Sequence, residues 1–192
     1  MTHIYFVRHA YPKFSWEDDM TRPLTDEGKK DSIEVKKALN NVKIDYVISS
    51  PYKRSVDTIK ECVESKQLEI NTDIRLRERE KGVDGNTSHS LIRKRWSDFN
   101  YHEEGGESLQ MVQDRNIEAL YEVIENHAGE NIIWGTHGTA LSTILNFFDN
   151  SYNADSFYRI INFMPYIIRL DFEGKTCVGK EEILIVEKEF KG

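Results

Sequence analysis

A chain of 192 residues, 39% apolar and 31% charged, is long enough to bury one ordinary core and too mixed for a disordered or fibrous protein. Its formal net charge of −7 argues against nucleic acid or an anionic membrane surface as the main partner, so an anionic ligand needs a locally cationic pocket. No stretch approaches a membrane span, and Met1 leads into Ile4-Tyr5-Phe6-Val7 without a basic leader; a cytoplasmic protein is expected. The two cysteines, Cys62 and Cys177, make neither a metal-type pair nor a disulfide framework.

Taken in chain order, short apolar runs alternate with amphipathic stretches. Ile4 to Val7 reads as a buried strand. Thr25 is placed to cap a helix whose first turn carries Asp26 and Glu27, with Gly28 early in it at some cost. Tyr46-Val47-Ile48 is the second strand, and Pro51 is expected in the first turn of a helix carrying Val56, Ile59 and Val63. Leu68 to Ile70 is a weaker third strand. From Asp73 to Gly106 the periodicity fades in a charged, glycine-containing stretch with Trp96, Phe99 and Tyr101; residues 79–106 are expected to act as a lid or insertion. Leu109, Val112, Leu120 and Val123 mark a long helix ending near Gly129. Asn131 to Trp134 is another strand, leading through Gly135-Thr136-His137-Gly138 into a helix with Leu141, Ile144, Leu145 and Phe148. Tyr166 to Phe172, a turn at Glu173-Gly174-Lys175, and Ile183 to Val186 form a hairpin-like pair. The expected fold is a single α/β domain over residues 1–192: a mainly parallel central sheet, helices on both faces and a C-terminal antiparallel hairpin.

Open sheets of this kind bind ligands beyond the carboxyl ends of their strands. That rule selects Arg8 and His9 after the first strand, Ser49, Ser50 and Arg54 after the second, and Thr136, His137 and Gly138 after the last parallel one. Two arginines and two histidines then converge on one rim of an acidic protein, an arrangement suited to a phosphate. Each guanidinium donates two parallel hydrogen bonds to phosphate oxygens and stays charged. A neutral imidazole attacks phosphorus once its other nitrogen is held as a donor, and a second histidine stabilises the equatorial oxygens. Helix starts after Ser50 and after Gly138 are expected to add backbone N–H donors.

At these residues the chain resembles the histidine phosphatase superfamily, which includes the phosphoglycerate mutases. The resemblance rests on Val7-Arg8-His9-Ala10, on Ser49-Ser50-Pro51-Tyr52-Lys53-Arg54, and on Leu76-Arg77-Glu78 with Gly82. Gly106-Glu107-Ser108 with Arg115, and Trp134-Gly135-Thr136-His137-Gly138, complete the ordered set. It implies His9 as the phosphorylated nucleophile, with Arg8, Arg54, His137 and Gly138 around the phosphate. Glu78 would be the proton donor to the leaving oxygen and then the base for water, a dual role favoured when a phosphate dianion lies beside the carboxyl. The arginines supply the positive charge, so neither a metal nor a cofactor is implied, and the expected partner is a small phosphorylated substrate. The chain departs from the family where Arg-His-Gly becomes Arg8-His9-Ala10, where the mutases' polar substrate-holding positions become Tyr11-Pro12-Lys13-Phe14, and where Val83-Asp84-Gly85 follows Gly82.

Competing readings are a phosphoglycerate mutase-type phosphotransferase, a non-catalytic phospholigand-binding protein, and a metal site on the two histidines that would leave two arginines facing a cation. Glu80, two residues beyond Glu78, is solvated charge on the plainest reading. His89 and His102 are candidates for touching substrate. Asp18, Asp19 and Arg22 read as a local ion-pair cluster, Glu107 and Arg115 as a structural pair, and Trp96, Phe99 and Tyr101 as ordinary packing before a lid.

Overall fold

The computed structural model describes residues 1–83 and 88–189. Its elements run β1 (Thr2–Arg8), α1 (Asp26–Ala38), β2 (Tyr46–Ser49), α2 (Lys53–Ser65) and β3 (Asn71–Thr72). After a 3-10 turn at Ile74–Leu76 come α3 (His89–Ser97), α4 (Leu109–Asn126), β4 (Asn131–Thr136), α5 (Gly138–Phe148), α6 (Ala154–Ile160), β5 (Phe163–Glu173) and β6 (Thr176–Glu187). The sheet order is β3-β2-β4-β1-β5-β6. β3, β2, β4 and β1 pair in parallel, and β5 joins β1 antiparallel before turning back through β6.

Alternation along the central strands sends side chains to two separate cores. Ile4, Phe6, Ile132 and Trp134 pack towards α4, α5 and α6, whereas Tyr5, Val7 and Ile133 pack towards α1 and α2. Both faces are therefore covered, which is why β1 and β4 are continuously apolar. Each fully buried side chain of the size of Phe6 or Leu120 contributes about 1.5–3 kcal/mol relative to an exposed one.

Local chemistry sets the helix starts. Thr25 accepts from the Gly28 N–H at 3.0 Å, and Asp26 and Glu27 sit by the positive end of α1. Gly28 is dictated by close approach: a Cβ there would lie 2.3 Å from the Tyr11 carbonyl oxygen. Ser108 caps α4, and an Asn153–Ser156 capping box opens α6.

Several boundaries differ from expectation. The third strand is Asn71–Thr72 rather than Leu68–Ile70; it forms where the chain reaches β2 at the sheet edge, not where it is most apolar. Pro51 lies before α2, whose cap is Tyr52. Helix α4 stops at Asn126, and β5 and β6 extend beyond the hairpin segments read from apolarity because backbone pairing runs from Phe163 opposite Glu187 to Glu173 opposite Thr176, through the polar stretch Lys180 to Glu182. The stretch 73–106 holds α3, and α6 was not anticipated. Asp84 and Gly85 fall outside the described residues. Among the described residues no helix is long and apolar enough to cross a membrane.

Candidate active site

The sheet register brings the expected residues to one edge. Arg8 pairs with Thr136 and Ser49 with Gly135, so Arg8-His9, Ser49-Ser50 and Thr136-His137 leave three neighbouring strands at the same level. Arg8, His9, Arg54, Glu78 and Gly138 line one cleft of about 120 Å³, together with Asp19, Arg22 and a wall from α3. His137 lies just behind, wholly buried, its ring centroid 5.3 Å from that of His9.

His9 is held as a nucleophile would need to be. Its Nδ1 lies 2.8 Å from the Ala10 carbonyl oxygen, which can only accept; Nδ1 therefore carries the proton and Nε2 the free lone pair. Burial, then Arg54 and Arg8, hold the imidazole well below the usual histidine range, so it stays neutral at physiological pH. Ala10 serves in place of glycine because its backbone does not adopt positive φ; its N–H donates to Thr58 Oγ1 at 2.9 Å.

His137 is fixed by the opposite nitrogen. Its Nε2 lies 2.8 Å from Ser50 Oγ, which already accepts the Tyr52 N–H at 3.2 Å. Among the described residues His137 Nε2 is the one acceptor within reach of the Ser50 hydroxyl proton, so that proton goes to Nε2, and Nδ1–H becomes a buried donor without a protein partner. Burial and Arg54 keep this imidazole neutral as well. Tyr52 packs edge-on against His137 and lies 5.4 Å from the Arg54 guanidinium.

The two arginines are anchored alike. Arg8 donates through Nη1 to the carbonyls of Ile160, Ile161 and Phe163 at 2.6, 2.8 and 3.2 Å, where α6 ends. Arg54 donates through Nη1 to the Asp19 carbonyl at 2.6 Å, and the Asp19 carboxylate lies 3.1 Å away. In both, Nε is buried without a partner. Each anchor thus spends one end of the guanidinium and leaves the Nε–Nη2 edge as a fork. Burial lowers the Arg8 pKa to about 10, still cationic at neutral pH, and lowers that of Arg54 too. Concentrating buried cations costs several kcal/mol per ion, which an arriving anion offsets.

Glu78 faces the same cleft from the segment before residue 79. Its carboxylate accepts N–H groups from Arg79 at 2.9 Å and from Thr139 and Ala140 at 3.0 Å. Arg115 holds the segment by donating to the carbonyls of Arg75, Arg77 and Glu78, and its paired bonds to Glu107 at 2.8 Å confirm the structural reading of that pair. Glu80 points instead to Arg77.

Two expectations about backbone donors need correction. The α5 first-turn N–H groups of Thr139 and Ala140 serve Glu78, and the Lys53 N–H opening α2 goes to the Met20 carbonyl. Gly138 lines the cleft and also makes room for Arg8: a Cβ there would lie 3.0 Å from Nη2. His89 binds Tyr158 and His102 the Glu103 carbonyl, and neither lines the cleft. Trp96 does line it while packing on Phe99, Tyr152 and Phe157; Phe99 and Tyr101 do not. The Asp19–Arg22 pair exists at 3.0 Å, but its link to Arg54 was missed, as were the roles of Ser50 and Thr58.

Residues 4–181 match the family model of the histidine phosphatase superfamily (branch 1). A probable phosphoglycerate mutase GpmB from Salmonella typhi is 27% identical over 166 residues, covering 76% of this chain and 74% of its own. The structure is similar to Bacillus stearothermophilus YhfR, with TM-score 0.76, 24% identity and coverage of 99% and 98%. It is also similar to a phosphoserine phosphatase from Entamoeba histolytica solved with phosphoserine, with TM-score 0.78, 16% identity and coverage of 95% and 97%. Matched by the family model from residue 4 to residue 181, the chain belongs to the histidine phosphatase superfamily.

Proposed function

We propose that this protein hydrolyses a small phosphomonoester through a phosphohistidine on His9, with the arginines supplying the positive charge. The observation that carries this reading is the orientation of His9: Nδ1–H is committed to the Ala10 carbonyl, and Nε2 is free beside two anchored guanidiniums. The phosphate enters between Arg8 and Arg54, each offering its fork, with the His137 Nδ1–H as a further donor. His9 Nε2 forms a bond to phosphorus as the ester P–O bond breaks, and Glu78 gives its proton to the departing oxygen. Water then attacks the phosphohistidine, loses a proton to Glu78 and releases phosphate, restoring His9 and the protonated carboxyl. Anchored donors need no reorganisation as charge develops on the equatorial oxygens.

Hydrolysis of p-nitrophenyl phosphate by wild type and His9→Ala, with EDTA present, tests this. Turnover should survive EDTA and fall by at least ~10³ in the variant, since covalent catalysis is lost. Activity independent of His9 would refute the mechanism. Wild-type protein that becomes phosphorylated but releases phosphate only to a second phosphorylated substrate would be a mutase, the activity suggested by the GpmB relatives' names. Glu78→Gln should slow esters with poor leaving groups far more than p-nitrophenyl phosphate; equal slowing would remove Glu78 as the acid.

A further inference from the structure

Beyond the phosphate cradle, the cleft carries more positive charge than one phosphate group can use. Among the described lining residues are six cationic side chains, Arg8, Arg22, Arg54, Arg79, Lys81 and Arg95, against the two carboxylates of Asp19 and Glu78. Arg8 and Arg54 belong to the phosphate, and Arg22 pairs with Asp19. That leaves a second group. Arg79 and Arg95 are both buried, at 6% and 4% exposure, and they share one carboxylate, Glu103. Arg95 is bonded to Glu103 Oε1, whereas Arg79 Nη1 stands 3.7 Å from Oε2, an oxygen with no hydrogen-bond partner. Arg79 Nη1 otherwise reaches only the Glu80 and Glu107 carbonyls, at 3.2 Å each. Glu78 and Glu107 also act on Arg79, but Glu78 is engaged by three backbone N–H groups and Glu107 by Arg115 and the Glu80 N–H. Glu103 is therefore the carboxylate that the two buried guanidiniums share, and an anion joining them offsets the cost of their burial. Burial first, and then Arg95, hold Arg79 below its ordinary value against the opposing pull of Glu103, Glu78 and Glu107.

The surroundings define the rest of the ligand. On α3, Ile92, Arg95 and Trp96 stand at i, i+3 and i+4 and all face the cleft, so the cation is set among apolar groups. Phe157 of α6 closes beside Trp96, with ring centroids 5.9 Å apart.

From this charge excess on an apolar wall we infer that the cleft has a second anionic subsite at Arg79 and Arg95, and that the substrate is a phosphomonoester whose short apolar body ends in a carboxylate. The inference rests on the phosphomonoesterase reading above and adds the substrate class. The phosphate sits at Arg8 and Arg54, the body lies along Ile92 and Trp96, and the distal carboxylate takes the guanidinium donors that Glu103 leaves over. Lys81 also lines the cleft.

The test compares para-(carboxymethyl)phenyl phosphate with its carboxamide, two esters of similar shape whose methylene insulates the leaving oxygen. Wild type should show a KM lower by about tenfold or more for the carboxylate, as charge-assisted bonds to a desolvated guanidinium allow. In Arg95→Met the ratio of the two KM values should collapse towards unity. Equal KM values in wild type, or a preference kept intact in folded Arg95→Met, would overturn the subsite. Should Arg95→Met not fold, calorimetric binding of the corresponding benzylphosphonates to wild type, with and without the carboxylate, decides the same point without substitution. That binding measurement also separates the two claims. If neither ester is hydrolysed, the phosphatase reading fails, while a carboxylate-dependent gain in phosphonate affinity would still support the subsite and its absence would remove it.

Discussion

Replacing Ser50 with alanine tests how His137 is prepared for its role. The hydroxyl is the sole side-chain partner of His137 Nε2, at 2.8 Å, and it sits in a fully buried position. Without it, Nε2 is left unsatisfied, a loss of ~1–3 kcal/mol, which for a chain of this size lowers Tm by roughly 2–12 °C. The catalytic effect has a different origin. Ser50 forces the proton onto Nδ1, so its loss leaves the ring able to adopt the tautomer that presents a lone pair to the phosphate. Removing such a donor altogether costs ~10²–10³ in turnover. Here the imidazole remains and only its bias is lost, so kcat for p-nitrophenyl phosphate should fall by about 10-fold, short of that range. Stopped assays at saturating substrate, with thermal melts on the same samples, separate the two effects. A lower Tm with kcat at the wild-type level would refute the tautomer argument while leaving the packing argument intact.

Other perturbations follow from the same geometry. In Gly138→Ala the new methyl would lie 3.0 Å from Arg8 Nη2 and 3.1 Å from Cζ and Nε, and the guanidinium cannot withdraw without losing three carbonyls. Inhibition by inorganic phosphate should weaken by about 10-fold; an unchanged inhibition constant would show that Arg8 is not a phosphate ligand. In Arg115→Met, Glu107 keeps Arg77 and the Glu80 N–H but loses its paired bonds, and the carbonyls around Glu78 lose their donor, so stability should drop by about 1.5–3 kcal/mol in urea melts. Esters with poor leaving groups should slow most in that variant, as in Glu78→Gln. The pH dependence of stability follows from His9 and His137, both held well below their ordinary pKa. Unfolded histidine takes up a proton near pH ~6.5 while the native rings do not, so the unfolded state binds more protons and stability falls as pH drops below that value. Each histidine contributes up to about 1.4 kcal/mol per pH unit there, and His9→Gln should remove roughly half of their joint slope. A slope unchanged by that substitution would contradict the neutral assignment of His9.

Much of this was legible in the sequence because burial on two faces leaves a strong mark. β1 and β4 read as continuous apolar runs, and the polar residues following them had to lie at the carboxyl edge of the sheet. Arg8, His9, Arg54 and Glu78 were found by that route and by resemblance. What escaped was set by long-range geometry. Ser50 meets His137 across 87 residues, and nothing local distinguishes its hydroxyl from that of Ser49. Arg8 is anchored on backbone carbonyls at the end of α6, and carbonyls carry no sequence signal. α6 itself is seven residues long, too short for a periodic pattern, although Asn153 and Ser156 hold its capping box. α3 was hidden because Arg95 occupies a buried position among Ile92 and Trp96, so its hydrophobic period is broken by a charge that faces the cleft. The donors expected from helix starts failed for a similar reason: Glu78 and Met20, remote in sequence, take them.

The central claim is that His9 attacks through Nε2, and phosphoenzyme trapping tests it most directly. Wild-type protein mixed with p-nitrophenyl phosphate, quenched in alkali and digested, should yield a single phosphopeptide containing His9, acid-labile and phosphorylated at Nε2 by phosphorus NMR. Phosphate on Nδ1 would contradict the assignment of that nitrogen as the donor to Ala10, and phosphate on His137, or on no histidine, would contradict the account as a whole.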